Sequence, residues 1–417
     1  MSGKPLQGLA RATFTLLVGG AMAQALPLLL VPLLTRLFSP AEFGLFHLFA
    51  AVAANLAVVA CARFEFALPL AADEPEAQAL RALCLRVLAG TVALSALGAV
   101  GWWLAGAAAW VAWLPAAVAA AGAVSLATMW ATRAQRFQAL AVARVLQYGG
   151  AALAQVAAGW AGAGVPGLIA APIAAALLAT AWLRLPLAWG SADLVDWRVL
   201  VRKYRDFPLL NTPHAFAGAL QDTASVALIA ATLGPAAAGF WGLGLRYLKA
   251  PATLVGSAVS QALYPKLAAG GGRATVAGRQ AVRQLIGLLA LGAAPLVLVL
   301  WTLGPWLFAW LFGEAWREAG SLAQALALYI GLHFMAAPLA VVTMVWQAQA
   351  WALKLALFGQ VLFVGALVAG MAWGGLQGAG WAVSVAMTGY FGYYMLALAR
   401  WPVSTDPVPD PMEQSAP

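Results

Sequence analysis

Charge is scarce in this chain of 417 residues: Asp, Glu, Lys and Arg together make up 9%. A soluble globular domain carries roughly 25% charged residues. A fold of this size with water on all sides is therefore excluded. Cysteine is nearly absent. Cys61 and Cys84 lie in no CxxC or CxxH pattern, which excludes a disulfide framework or a zinc site and leaves them as small apolar packing residues. His47, His214 and His333 have no partners at metal-ligand spacing, so no metal is expected. The chain has no G-x-x-x-x-G-K-[ST] phosphate loop, no G-x-S-x-G and no H-E-x-x-H, which removes the corresponding ATPase, hydrolase and metalloprotease chemistries. No cofactor is expected, and the chain reads as a non-enzyme.

What the sequence does have is apolar length. Hydrophobic residues make up 64%, and the mean hydropathy is +0.86. Such a chain hides its apolar surface only in lipid. A bilayer span needs ~20 apolar residues. Spans are expected near 13–36, 42–66, 83–105, 109–131, 138–160, 164–183, 208–233, 236–262, 283–311, 321–348, 352–373 and 377–400. The first is longer than a signal-peptide core and lacks a small-residue cleavage site, so it is read as a retained span. Pro27, Pro32, Pro172, Pro251, Pro295 and Pro338 fall inside spans. They predict bent helices whose freed backbone groups are satisfied by neighbours.

The net charge of +9 invites a nucleic-acid reading. The basic residues form no single patch, so nucleic acid is rejected as a partner. They sit in short segments between apolar runs, as the positive-inside rule predicts. With the N-terminus inside, nineteen Lys and Arg lie at cytoplasmic segments and only Arg36 and Arg317 lie outside, leaving Arg246 and Lys249 within a span. Both termini are therefore expected in the cytoplasm. Trp102, Trp103, Trp110 and Trp113 flank one outer turn, and Trp182 and Trp189 flank an inner end, the depth that indoles favour. The stretch 193–207 places Val195, Trp197, Val199, Leu200 and Tyr204 among Arg198, Arg202, Lys203 and Arg205. It reads as an amphipathic helix on the anionic inner leaflet.

That helix lies at the midpoint, and the two halves resemble each other. Ser39-Pro40-Ala41-Glu42-Phe43-Gly44-Leu45-Phe46 is matched by Gly234-Pro235-Ala236-Ala237-Ala238-Gly239-Phe240-Trp241, an offset of 195. Both read Pro, three residues, Gly, then two large apolar residues. A second proline follows about 25 residues after each glycine, Pro69 and Pro265. The expected fold is an all-α integral membrane protein. It has about twelve transmembrane helices in two pseudo-symmetric six-helix lobes around a central cavity, related by an axis along the membrane normal. The division is 1–190 for the N-terminal lobe, 191–207 for the linker helix, 208–400 for the C-terminal lobe and 401–417 for a disordered cytoplasmic tail.

Ionisable groups at membrane depth are costly and mark function. Arg246 and Lys249 are three apart and share a helix face. Arg246 lies roughly 13 Å below the outer end of span eight, and Asp222 roughly 16 Å below that of span seven. The two charges form either a structural ion pair or part of a cationic cavity wall with Lys249. Gln24 and Gln221 occupy similar depths in spans one and seven. Gln147, Gln155, Gln261, Gln347 and Gln360 line a cavity or bond between helices. Arg36, Arg63 and Glu65 are snorkelling side chains or gate residues.

These residues also carry a family resemblance. Leu34-Thr35-Arg36-Leu37-Phe38-Ser39-Pro40-Ala41-Glu42-Phe43-Gly44-Leu45-Phe46 resembles the opening signature of bacterial polysaccharide biosynthesis flippases, also called the O-antigen or lipid-linked oligosaccharide flippase family. These belong to the multidrug/oligosaccharidyl-lipid/polysaccharide exporter superfamily. Arg63-Phe64-Glu65-Phe66-Ala67-Leu68-Pro69-Leu70 and Tyr204-Arg205-Asp206-Phe207-Pro208 continue the match. So do Asp222, Leu233-Gly234-Pro235 through Gly239, Leu245-Arg246-Tyr247-Leu248 and Gln261-Ala262-Leu263-Tyr264-Pro265. The resemblance covers spans one to eight well.

It implies a flippase that moves undecaprenyl-pyrophosphate-linked oligosaccharide across the bacterial inner membrane by alternating access, for O-antigen, capsule or exopolysaccharide synthesis. Implied partners are that lipid-linked substrate, the bilayer, a polysaccharide polymerase and glycosyltransferases. Typical members carry more charge in the N-terminal lobe. Here spans one to six have almost none at mid-depth, which leaves the pyrophosphate to Arg246 and Lys249. The alternatives are a cation-coupled multidrug exporter of the same superfamily, a peptidoglycan-precursor flippase, and a membrane glycan polymerase or ligase. Short outer loops oppose the last.

Overall fold

The computed structural model describes residues 20, 23–106, 108–186, 196–268 and 273–403, and among these there is no strand. The start of span one, Trp189, linker residues 191–195, residues 270–272 and the tail from 404 lie outside the described residues.

Among the described residues, seven helical stretches are long and apolar enough to cross a bilayer: Pro40–Val59, Glu74–Leu104, Ala109–Arg133, Gly164–Leu183, Val276–Phe312, Glu314–Val345 and Gln349–Ala399. Ala23–Leu37 and Gly218–Leu233 are shorter apolar helices. Many large side chains on these helices point away from the protein. Leu291 is 74% exposed, Val361 73% and Trp373 81%. Apolar surface on this scale needs a hydrocarbon solvent. The protein is a multi-pass membrane protein.

The chain divides into two compact units. One is Met1–Ala230 with Gly234–Gly239, the other Ala231–Leu233 with Phe240–Pro417. The repeat places a division earlier, at 191–207.

In the first unit, local chemistry sets the helix starts. Ser39 caps Pro40–Val59 through a capping box: its hydroxyl accepts from the Glu42 N–H at 3.3 Å, and Glu42 Oε2 accepts from the Ser39 N–H at 2.8 Å. Pro40 at the first helical position donates no N–H, and none is needed there. Asp73 caps Glu74–Leu104 by accepting from the Glu76 N–H at 2.8 Å. Arginines of the basic end act as braces. Arg133 donates to the carbonyls of Ala71 (2.6 Å) and Asp73 (2.9 Å), and Arg136 to that of Leu183 (2.7 Å). Leu68, Leu80, Leu126, Ile169 and Leu183 form the fully buried core. The expected fifth span is Phe137–Arg144 and Gly150–Trp160 joined by a π-helical turn, Val145–Gly149.

In the second unit, Val276–Phe312 and Arg317–Ala336 pack along their length. A Cβ on Gly304 would lie 2.7 Å from the Gly320 carbonyl oxygen, the close backbone approach that small residues permit in membranes. Ser384 donates to the Ala325 carbonyl at 2.6 Å. Gln349–Ala399 is broken at Gly374 and Gly375, the latter at φ 59°. The break yields the two segments 349–373 and 376–399.

Candidate functional site

The expected eighth span is broken in two. Pro235–Leu248 ends one residue before Lys249, and Ala250–Ala268 starts one residue after it. Pro251 explains the break, because it has no N–H to offer the Tyr247 carbonyl and its ring crowds that turn. The flanking bonds survive: the Lys249 N–H donates to the Leu245 carbonyl, and the Thr253 N–H to the Lys249 carbonyl, both at 3.1 Å. Carriers place substrate charge at such discontinuous helices.

Lys249 lies over the Tyr329 ring, its Nζ 5.5 Å from the centroid. Tyr329 is the hub of an aromatic cluster, with centroids 6.0 Å from His333, 5.7 Å from Phe363 and 6.1 Å from Phe391. His333 also meets Phe391 edge-on at 6.0 Å. The Tyr329 ring face stabilises the half-buried ammonium. Arg246, one turn earlier, is exposed. The second unit thus presents two cations at one helix break. Tyr329 and His333 are four apart on Arg317–Ala336, and that spacing was the legible signal for them.

The other expected site residues lie in the first unit. Glu65 is 4% exposed on the 3-10 segment Phe64–Leu70, between the spans Pro40–Val59 and Glu74–Leu104. Its Oε1 accepts from the Ser125 hydroxyl at 3.3 Å, while Oε2 has no hydrogen-bond partner among the described residues. Burial raises this carboxyl above its ordinary range, against a backbone hydrogen bond, the Arg63 charge and the Ser125 hydroxyl. Arg63 stacks on Phe66 at 5.1 Å rather than bonding Glu65. Ala62 and Arg63 have φ of 49° and 62°, left-handed conformations that cost a non-glycine residue energy.

Arg36 and Gln24 are exposed, and the Gln24 amide donates to its own helix at the Gly20 carbonyl, 3.5 Å away. Gln221 is half-buried and Asp222 exposed. Asp222 belongs to the first unit and Arg246 to the second.

Two features of the first unit escaped the sequence reading. Asn55, 7% exposed, donates its amide to the Ala219 carbonyl at 3.0 Å and also to the Thr223 hydroxyl, while Thr223 donates to the Ala51 carbonyl at 2.8 Å. A lone Asn in an apolar run was the available signal. The other feature is the meeting of the two repeated turns. A Cβ on Gly44 would fall on the Pro235 carbonyl oxygen, and one on Gly239 on the Pro40 carbonyl oxygen.

Comparisons with known proteins bear on this architecture. No curated protein matches the sequence. Among solved structures, an inward-facing multidrug resistance MATE family transporter of the MOP superfamily aligns at TM-score 0.66 and 14% identity, over 93% of this chain and 100% of its own. The lipid II flippase MurJ, inward closed, aligns at TM-score 0.71 and 10% identity, over 93% and 88%. A mutant of the Vibrio cholerae MATE transporter VcmN aligns at 0.57 and 17%, over 94% and 95%. At these identities the likeness establishes the fold, that of MOP-superfamily transporters. The family profile described as polysaccharide biosynthesis protein matches residues 33–321, most of the chain and all of the motifs from Arg36 to Lys249. The chain therefore belongs to the polysaccharide biosynthesis protein family.

Proposed function

We propose that this protein is a flippase that moves undecaprenyl-pyrophosphate-linked oligosaccharide across the bacterial inner membrane by alternating access, for surface polysaccharide synthesis. The observation that carries the proposal is the helix break at Lys249, with Arg246 one turn before it and the Tyr329 ring beneath the ammonium. A diphosphate suits two neighbouring cations, because charge-assisted bonds to phosphate oxygens are roughly twice as strong as neutral ones. The family assignment and the MOP fold support the same reading.

In this reading the chain crosses the membrane twelve times as two six-helix lobes, with both termini in the cytoplasm. Its partners are the glycosyltransferases that build the substrate and the polymerase that consumes it. The cavity opens inward and admits the glycan head group from the side, while the lipid tail stays in the bilayer. The pyrophosphate is held by Arg246 and Lys249 of the second unit; Asp222, Gln24 and Gln221 are the polar candidates of the first. Arg36, Arg63 and Glu65 act near the ends of the pathway. Rocking of the lobes then exposes the glycan outside. No bond is made or broken, so no catalytic residue is needed.

The test is reconstitution in vesicles with a panel of undecaprenyl-pyrophosphate-linked glycans. Wild-type protein accelerates the flipping of at least one. An Arg246→Ala variant, present at normal level and still flipping at the wild-type rate, would remove the site assignment. Drug efflux with no lipid-linked glycan movement would establish the multidrug alternative.

A further inference from the structure

The short helix Trp197–Lys203 is fastened to the first unit by its apolar side and by one charge. Leu200 is 1% exposed and Tyr204 6%. Lys203 and the Tyr204 hydroxyl both bond Glu76 Oε1, at 2.5 and 3.2 Å. Outward, beside Trp197 and Val199, stand basic side chains. Arg198 and Arg202 are one turn apart, and Arg205 follows with its side chain 68% exposed. Asp196 is engaged as the helix cap, accepting from the Arg198 N–H at 2.9 Å, and Asp206 lies 3.9 Å from Arg205. Glu76 is taken by Lys203. Arg198 and Arg202 therefore have no acidic partner among the described residues.

The two arginines, with Asp196, Val199 and Lys203, line a shallow depression of about 420 Å³. On its flanks stand two large apolar side chains, Trp197 at 50% and Val199 at 57% exposure, and the Arg198 guanidinium lies 5.5 Å from the Trp197 ring centroid. Cations with neighbouring exposed indole and aliphatic groups suit one environment above others, the charged headgroup layer over the hydrocarbon edge.

We propose that Arg198 and Arg202 form a binding site for anionic phospholipid of the membrane surface, which holds the linker helix Trp197–Lys203 against the headgroup layer. Arg198 and Arg202 pair with the lipid phosphates, and Trp197 and Val199 rest at the acyl boundary. The site uses neither Arg246 nor Lys249 and does not depend on which molecule the protein carries. Each arginine contributes about a fivefold preference for an anionic over a neutral surface.

The test uses full-length protein in nanodiscs, which leave both membrane faces accessible. A Val199→Cys substitution takes an environment-sensitive dye, and the native Cys61 and Cys84 are buried and do not compete. The expected result is a blue-shifted emission in discs containing phosphatidylglycerol relative to phosphatidylcholine alone. The shift is lost in Arg198→Gln/Arg202→Gln and kept in Arg198→Lys/Arg202→Lys. Equal emission in the two discs, or a shift that persists in the glutamine pair or disappears in the lysine pair, overturns the proposal. So does an equal shift produced by inorganic pyrophosphate in neutral discs, since that assigns the depression to a soluble anion.

Discussion

Gly44 lies against the backbone of Pro235, so closely that the place of its missing Cβ is taken by the Pro235 carbonyl oxygen. Gly239 meets Pro40 in the same way. The repeated motif thus contacts its own copy, and each glycine is required by the other copy's proline.

Backbone atoms at such a crossing cannot swing aside. Gly44→Val or Gly239→Val is expected to destabilise the first unit by about 1–3 kcal/mol, the usual cost of overpacking. An equal substitution at Gly98, which meets nothing within 4 Å, should be nearly silent. Thermal melting of the three purified variants checks this, and equal melting temperatures would contradict the crossing.

At the helix break, Lys249→Ala and Arg246→Ala should each slow the flipping of a pyrophosphate-linked glycan about tenfold or more, the loss of ~1.4 kcal/mol or more of interaction. Tyr329→Leu should weaken the Lys249 position by about 0.5–1 kcal/mol or more. The measurement is initial flipping rate at matched protein level. An undiminished rate in the Arg246→Ala/Lys249→Ala double variant would remove the cations from the pathway.

Glu65 makes a pH prediction. Its carboxyl is raised in the folded protein by burial. The folded state therefore holds this proton to higher pH than the unfolded chain does. The stabilising contribution is complete below the unfolded carboxyl value and is lost as pH rises through the raised folded value. Glu65→Gln, which mimics the neutral acid, should flatten that decline and melt higher than wild type at alkaline pH. Parallel pH dependence of melting in the two proteins would contradict it.

Lys203 makes a local one. Its ammonium is held above the usual lysine range by the hydrogen bond to Glu76, so its contribution is present below the unfolded lysine value and fades as pH rises through the folded one. Lys203→Met should loosen the helix Trp197–Lys203 without melting the spans. Faster amide hydrogen exchange confined to 197–204 is the expected reading.

Hydropathy made the spans legible because it is a property of contiguous residues. Pro40–Val59, Gly164–Leu183 and Val276–Phe312 lie where ~20-residue apolar runs demand. The bend expected at Pro251 is also local, decided within four residues. The apolar residues of the linker were legible as amphipathic, but their direction was not: Leu200 and Tyr204 face the protein, leaving arginines outward. Asn55 was passed over because one amide in a run says nothing of its partner, and Thr223 lies 168 residues away.

The sequence by itself determined the solvent of this protein, its helical class and its family, because bilayer thickness and the obligatory satisfaction of backbone groups leave an apolar chain few options. It also displayed the Pro-x-x-x-Gly turn twice. Only the tertiary structure decided that the two turns touch, that Lys249 sits over Tyr329, and that Glu65 is shut away with one oxygen unpartnered among the described residues. Those facts depend on distances between residues far apart in the chain, and packing, not local pattern, sets them.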